Sequence, residues 1–340
     1  MRTIIFWLNA ARKTALPQSV LPAILALCMA TKADTFSFPL ALMAVIGVAL
    51  AHLGMNLFDD YFDYKKKGVG IREELASAGF RARLGKCQQI LSGEATAGQF
   101  LKAACVFCGL AIALGLVIAY FQGTGIFWFV LIGGFLGVFY SGYPFRFSYY
   151  GMGELLIGVM FGPLLMSGVY YAACGYIDTT VLWVSVPVGM LVANIVYTHA
   201  IMDYEPDKGI GKMTLAVLLD NKQKMLVVSA LLTFLPYIIV TIGILYDVLS
   251  LTYLAVFVTL PIAIALFYKL VLFTRNVKNE DLTPRFWMGP MENWALIKQA
   301  GVDWFMIRWM LSRNLLSLFC FIIVILSFLP YTYINIINHG

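Results

Sequence analysis

The sequence predicts an all-α polytopic membrane protein of nine transmembrane helices, and three observations predict it. The 340 residues are 61% hydrophobic and 12% charged, with a mean hydropathy of +0.83, which excludes an ordinary soluble globule. Apolar runs long enough to cross ~30 Å of hydrocarbon as helices recur along the whole chain. The basic residues are segregated: 23 of 24 Lys and Arg fall in alternate connections, with Lys32 the exception.

The nine runs lie near 15–31, 38–58, 99–121, 125–143, 152–174, 180–201, 225–245, 249–273 and 314–336. Before the first, the apolar stretch Ile4 to Leu8 is too short for a cleavable signal, so span 1 is expected to stay as an anchor. The second run ends in NLFDDYFDYKKKG, Asn56 to Gly68. The third contains Cys105 and Cys108, a CxxC without partners at metal-ligand spacing, which reads as packing. The fourth ends at Tyr140 and Ser141, and the fifth opens with Glu154, where a carboxylate suits the positive end of a helix. The sixth carries His199 into HAIMDYEPDKGIGK. After the eighth, residues 274–313 mix Trp287, Trp294, Trp304 and Trp309 with charges, the pattern of amphipathic segments lying in the headgroup layer. Residues 1–340 read as a single transmembrane domain.

Lys and Arg favour the cytoplasmic side, so the amino terminus is expected in the cytoplasm and the carboxyl terminus outside. The net charge of +6 then meets anionic lipid headgroups, and no nucleic-acid motif accompanies it. The six cysteines fall mostly within spans, so no disulfide framework is expected.

Chemistry concentrates in two acidic clusters on that face. Asp59, Asp60 and Asp63 end the second run, and Asp203 and Asp207 follow the sixth. Each cluster has a pair spaced four apart, one face of a helix. Ionisable groups at membrane depth are costly and usually functional. Carboxylates brought together repel unless a cation sits between them. A set made of carboxylates suits Mg²⁺, which keeps waters and bridges to phosphate oxygens. A phosphate-bearing substrate follows, and Lys65, Lys66, Lys67, Lys208 and Lys212 stand near to neutralise departing pyrophosphate. Asn56 and His52 lie one turn apart, either lining a cavity or bonding between helices.

Asp59 to Asp63 spells DDxxD, and with the later DxxxD it resembles the UbiA superfamily of intramembrane aromatic prenyltransferases. The stretches SGEATAGQ at Ser92, YSGYPFRFSYYGMGELLIG from Tyr140 and GKMTLAVLL from Gly211 look like its 1,4-dihydroxy-2-naphthoate polyprenyltransferase branch. The resemblance implies helices around a central cavity open to the cytoplasmic face and the bilayer, in a bacterial inner membrane. It implies Mg²⁺ on Asp60, Asp63, Asp203 and Asp207, with Asp59 at the family's usual Asn position. Tyr140, Ser141 and Arg146 occupy the loop that approaches the diphosphate. The implied reaction moves a polyprenyl chain from an allylic diphosphate to an aromatic acceptor such as 1,4-dihydroxy-2-naphthoate, in menaquinone biosynthesis. Tyr140, Arg146 and His199 are the expected catalytic groups, and Phe58, Tyr61 and Phe62 expected cavity lining. Lys67, Gly70, His199 and Met202 depart from the branch pattern. Other acceptors (4-hydroxybenzoate, homogentisate or a lipid), a transporter and a non-catalytic homologue stay open as alternatives.

Overall fold

The computed structural model describes residues 3–65, 87–277 and 279–329. Lys66, Lys67 and Gly70 lie outside the described residues.

Among the described residues the principal helices are α1 Pro17–Ala30, α2 Phe38–Lys65, α3 Ala97–Gln122, α4 Ile126–Ser141, α5 Gly153–Cys174, α6 Thr179–Met202, α7 Lys222–Leu245, α8 Leu251–Thr274 and α9 Asp303–Ser327. Of these, seven are long and apolar enough to cross a membrane. The other two, expected as spans, are shorter: α1 has 14 residues and α4 has 16. At 1.5 Å per residue they reach only about 21 and 24 Å. Local sequence sets these limits. Pro17 starts α1 with a φ already suited to a first helical turn, and Gly125 and Gly142 flank α4.

Elsewhere side chains satisfy the orphan amides at helix starts. Thr96 and Gln99 form a reciprocal capping box on α3. Asp178 accepts from Thr180 N at the start of α6, and Asn221 accepts from Gln223 N and Lys224 N at the start of α7. α5 loosens into one π turn at Met160–Leu164, where Pro163 cannot donate to the helix ladder. Opposite that turn α5 and α6 touch through glycine. A Cβ on Gly162 would lie 2.4 Å from Ser185 O, and one on Gly189 would lie 2.3 Å from Gly158 O. Such small-residue contacts let membrane helices approach closely without a water-driven hydrophobic force.

Two expected boundaries move. α2 continues past 58 to Lys65, so the first acids sit within a helix, and Asp60 and Asp63 are buried. α9 begins at Asp303 rather than 314, so Trp304 and Trp309 belong to a long helix. Ahead of it, the described residues of the connection form the short helices Phe286–Met288 and Trp294–Gln299. Among the described residues there is no strand. One isolated parallel bridge, Tyr150 to Met213, ties the loop after α4 to the loop after α6.

Candidate active site

α2 delivers the first cluster. Arg12, ahead of α1, reaches it with Nη2, donating to Asp59 Oδ2 at 2.9 Å, Asp60 Oδ1 at 2.7 Å and Asn56 O at 3.1 Å. Burial would lower the pKa of this guanidinium, but Asp60 and then Asp59 outweigh it and raise it above its ordinary value. Asn56 Nδ2 donates back to Ala11 O at 2.9 Å, fixing the same segment. The Ser141 hydroxyl donates to Asp59 Oδ1 from the end of α4. Tyr149 OH donates to Asp63 Oδ1 at 2.7 Å.

α6 delivers the second cluster, and here the expected continuous helix breaks. It stops at Met202, and a short helix restarts over Tyr204–Gly209. Pro206 explains the break: it has no N–H for the Met202 carbonyl, and its ring crowds that carbonyl. Asp207 N still donates to Asp203 O at 2.8 Å, so the two acids stay one turn apart.

The clusters meet in one cavity of about 500 Å³, lined by Asp59 from the first and by Asp203 and Asp207 from the second. Arg12, His52, Asn56, Tyr140, Glu154, His199 and Lys212 also line it. Asp60 and Asp63 are buried and do not line it, held in the bonds to Arg12 and Tyr149. His52 Nδ1 also meets Ser19 Oγ at 2.6 Å, so cavity and helix contacts coexist at this residue.

The loop after α4 bridges the clusters from the side. Arg146 adopts a left-handed backbone, φ 49° and ψ 49°, rare for a side chain of this size. Its buried guanidinium lies 4.5 Å from the Tyr143 ring and 4.3 Å from the Tyr149 ring. Nη1 donates to Tyr143 OH at 3.1 Å, whereas buried Nε and Nη2 meet no hydrogen-bond partner among the described residues. Lys212 Nζ approaches the Tyr149 ring at 5.8 Å. Two cations and one phenol thus converge beside Asp63, an arrangement suited to a polyanion.

The other expected site residues lie apart. Lys208 turns outward to Asp220 at 2.8 Å, which raises its pKa, and Lys65 is exposed over the Tyr61 ring at 4.8 Å. Lys66 falls outside the described residues. Phe58, Tyr61 and Phe62 pack on one another, with Phe62 centroids 6.2 Å from Phe58 and 5.2 Å from Tyr61, and they do not line the cavity. Phe129 and Phe161 line it instead. Met202 is buried away from it, against a second cavity of about 350 Å³.

Four residues of the site carry no clear signal in the sequence: Arg12 and Tyr149, and Ser148 and Trp309, which line the cavity. Arg12 reads there as an ordinary basic anchor, and only the fold carries it to residues 44 to 48 positions away. Tyr149 had one usable signal, its place beside Arg146.

Among the described residues, no group of three His, Cys, Asp or Glu side chains forms a ready metal cage. Mg²⁺ does not require one, because it keeps waters and shares one or two carboxylates with substrate phosphates. The donor chemistry fits such an ion: the carboxylates draw a guanidinium between Asp59 and Asp60, and Asp203 and Asp207 face the same cavity.

The model of the UbiA prenyltransferase family matches residues 19–289. A protein of Bacillus subtilis named 1,4-dihydroxy-2-naphthoate octaprenyltransferase is 27% identical over 66% of this chain and 69% of its own length. One of the same name from Mycobacterium tuberculosis is 29% identical over 67% and 76%. In fold, the chain is similar to a UbiA homologue from Archaeoglobus fulgidus bound to DMAPP and Mg²⁺, with a TM-score of 0.56 at 16% identity over 92% of this chain and 99% of that one. With the family model matched across most of its helices and both acidic motifs on one cavity, the chain belongs to the UbiA prenyltransferase family and is a membrane prenyltransferase.

Proposed function

We propose that the protein transfers a polyprenyl chain from an allylic diphosphate to 1,4-dihydroxy-2-naphthoate in menaquinone biosynthesis, from the cytoplasmic side of a bacterial inner membrane. Asp59, Asp60, Asp63, Asp203 and Asp207 would hold Mg²⁺. One observation supports this above the others: a single cavity joins Asp59, Asp203 and Asp207 to a long apolar wall from α2, α3, α4 and α5. Along α2 that lining runs from Met43 to Asp59, about 24 Å of helix. A diphosphate head with an apolar tail matches both parts. A transporter would hold its acids near the bilayer midplane, whereas these stand at the ends of α2 and α6.

The allylic C–O bond breaks and its electron pair leaves with pyrophosphate. Bound Mg²⁺ supplies positive charge to the diphosphate oxygens. Arg146, with two unsatisfied donors, and Lys212 take oxygens of the leaving group. The apolar wall keeps water from the allylic cation, and the Phe129, Tyr140 and Phe161 rings face it, a cation–π attraction of ~2 kcal/mol when desolvated. A ring carbon of the acceptor then forms the new C–C bond. The ring regains aromaticity by losing a proton; when the naphthoate carboxylate leaves as carbon dioxide, the electron pair it leaves on the ring carbon takes up a proton, so the product is the prenylated 1,4-diol. His199, one turn before Asp203, holds the acceptor hydroxyl or takes its proton. Met202, which also departs from the branch pattern, lies outside this cavity.

Purified protein given a polyprenyl diphosphate, Mg²⁺ and dihydroxynaphthoate should yield demethylmenaquinol, the 1,4-diol, which air oxidises to the quinone that is measured. Turnover of 4-hydroxybenzoate or homogentisate without turnover of the naphthoate would reject the acceptor and keep the donor chemistry. Undiminished transfer in excess chelator would reject the metal.

A further inference from the structure

α9 enters the bundle through a buried ion cluster. Arg308 is fully buried, its Nη2 paired with Glu280 Oε2 and its Nε donating to Lys269 O at 3.0 Å. Lys269 Nζ reaches Glu280 Oε1 at 3.3 Å, and the Arg308 guanidinium lies 5.0 Å from the Phe273 ring centroid. Breaking such a pair leaves an uncompensated buried charge, so the rotation of α9 about its own axis is well fixed here.

That rotation sets what the next residue does. Trp309 lines the cavity. Its ring lies 6.3 Å from that of His199 at an interplanar angle of 26°, and Phe305, one turn earlier, stacks on the same imidazole at 5.3 Å and 25°. Arg313, which does not line the cavity, lies over the Trp309 ring at 5.0 Å and backs it. An indole backed by Arg313 is thus presented to the cavity beside His199, which lies one helical turn before Asp203. A flat aromatic ring gains from such a surface, because aromatic pairs gain in offset or edge contacts beyond simple burial.

We propose that Trp309 is a specificity-determining residue that packs against the acceptor ring and selects a flat, bicyclic acceptor over a single ring. The inference rests on the aromatic-acceptor reading above. It assigns the acceptor's resting face to α9, a helix outside both acidic motifs.

Steady-state kinetics of Trp309→Ala and Trp309→Phe test it, with donor and acceptor varied separately. Trp309→Ala should raise the acceptor KM about tenfold, the effect of losing one aromatic contact, and leave the donor KM within about twofold. Trp309→Phe should fall between, and the preference for dihydroxynaphthoate over 4-hydroxybenzoate should shrink from wild type to Phe to Ala. Thermal melts accompany each variant, and if Ala melts early the Phe variant carries the same comparison. An unchanged acceptor KM in a folded variant, or equal changes in both KM values, would overturn the assignment while wild-type transfer keeps the enzyme reading intact. Failure of the wild type to prenylate any aromatic acceptor would remove both.

Discussion

Tyr149 donates a 2.7 Å hydrogen bond to Asp63 Oδ1 while its ring carries the Arg146 guanidinium at 4.3 Å. One phenol therefore links the first acidic motif to the loop that supplies a cation. Tyr149→Phe keeps the ring for Arg146 and removes only the bond to the carboxylate. A hydrogen bond to a charged group contributes ~1.5–3 kcal/mol, so kcat/KM for the prenyl diphosphate should fall at least about tenfold, with little change in melting temperature. Unchanged donor kinetics would show that Asp63 does not depend on this bond.

Arg12 competes with any other cation at Asp59 and Asp60. Arg12→Ala leaves those carboxylates facing each other without their guanidinium, and like charges so close are destabilising. The variant should melt lower than wild type in chelator and recover more of its stability when Mg²⁺ is added. Equal Mg²⁺-induced shifts in both proteins would remove Arg12 as the balancing charge.

Asp63→Asn and Asp207→Asn each remove one anionic oxygen with little change in shape. If both carboxylates serve the departing diphosphate, each variant should lose ~100-fold or more in transfer rate. The measurement is product formation in saturating Mg²⁺, and full activity in either variant would refute that residue's role.

The glycine crossing of α5 and α6 makes a prediction about stability alone. Gly162→Ala sets a methyl 2.4 Å from Ser185 O, so the two helices must separate, an overpacking cost of ~1–3 kcal/mol. Gly109→Ala, on α3 with nothing within 4 Å of its added Cβ, is the control. Thermal unfolding in detergent should be lower for the first and unchanged or higher for the second.

Topology is checked by cysteine labelling in oriented vesicles. Single cysteines at Glu94 and Glu205, both outside the principal helices, should react from the same, cytoplasmic, side, as the distribution of Lys and Arg requires. Labelling from opposite sides would end the shared orientation of the two motifs.

Much of this was legible along the chain. A helix crossing a bilayer must satisfy its backbone internally and present apolar side chains outward, so composition alone marks the helices. The acids were legible for the same reason, since charge is too costly near hydrocarbon to stand there by accident. Helix limits were read less well: α2 runs on through its acids because they are buried and paired, with Asp60 bonded to Arg12 and Asp63 to Tyr149. Neither partner is a neighbour in sequence.

Local chemistry thus determined, by itself, the all-helical membrane fold, the two carboxylate motifs and the family resemblance, because hydropathy and residue spacing are written one after another. The tertiary structure decided which charges share the cavity. It sent Lys208 out to Asp220, brought Arg12 in to Asp59, and turned Trp309 from an apparent headgroup-layer residue into a wall beside His199. Those outcomes depend on contacts between residues 12 to 110 positions apart, and a side chain's electrostatic partner is fixed by distance in space, which linear spacing does not encode.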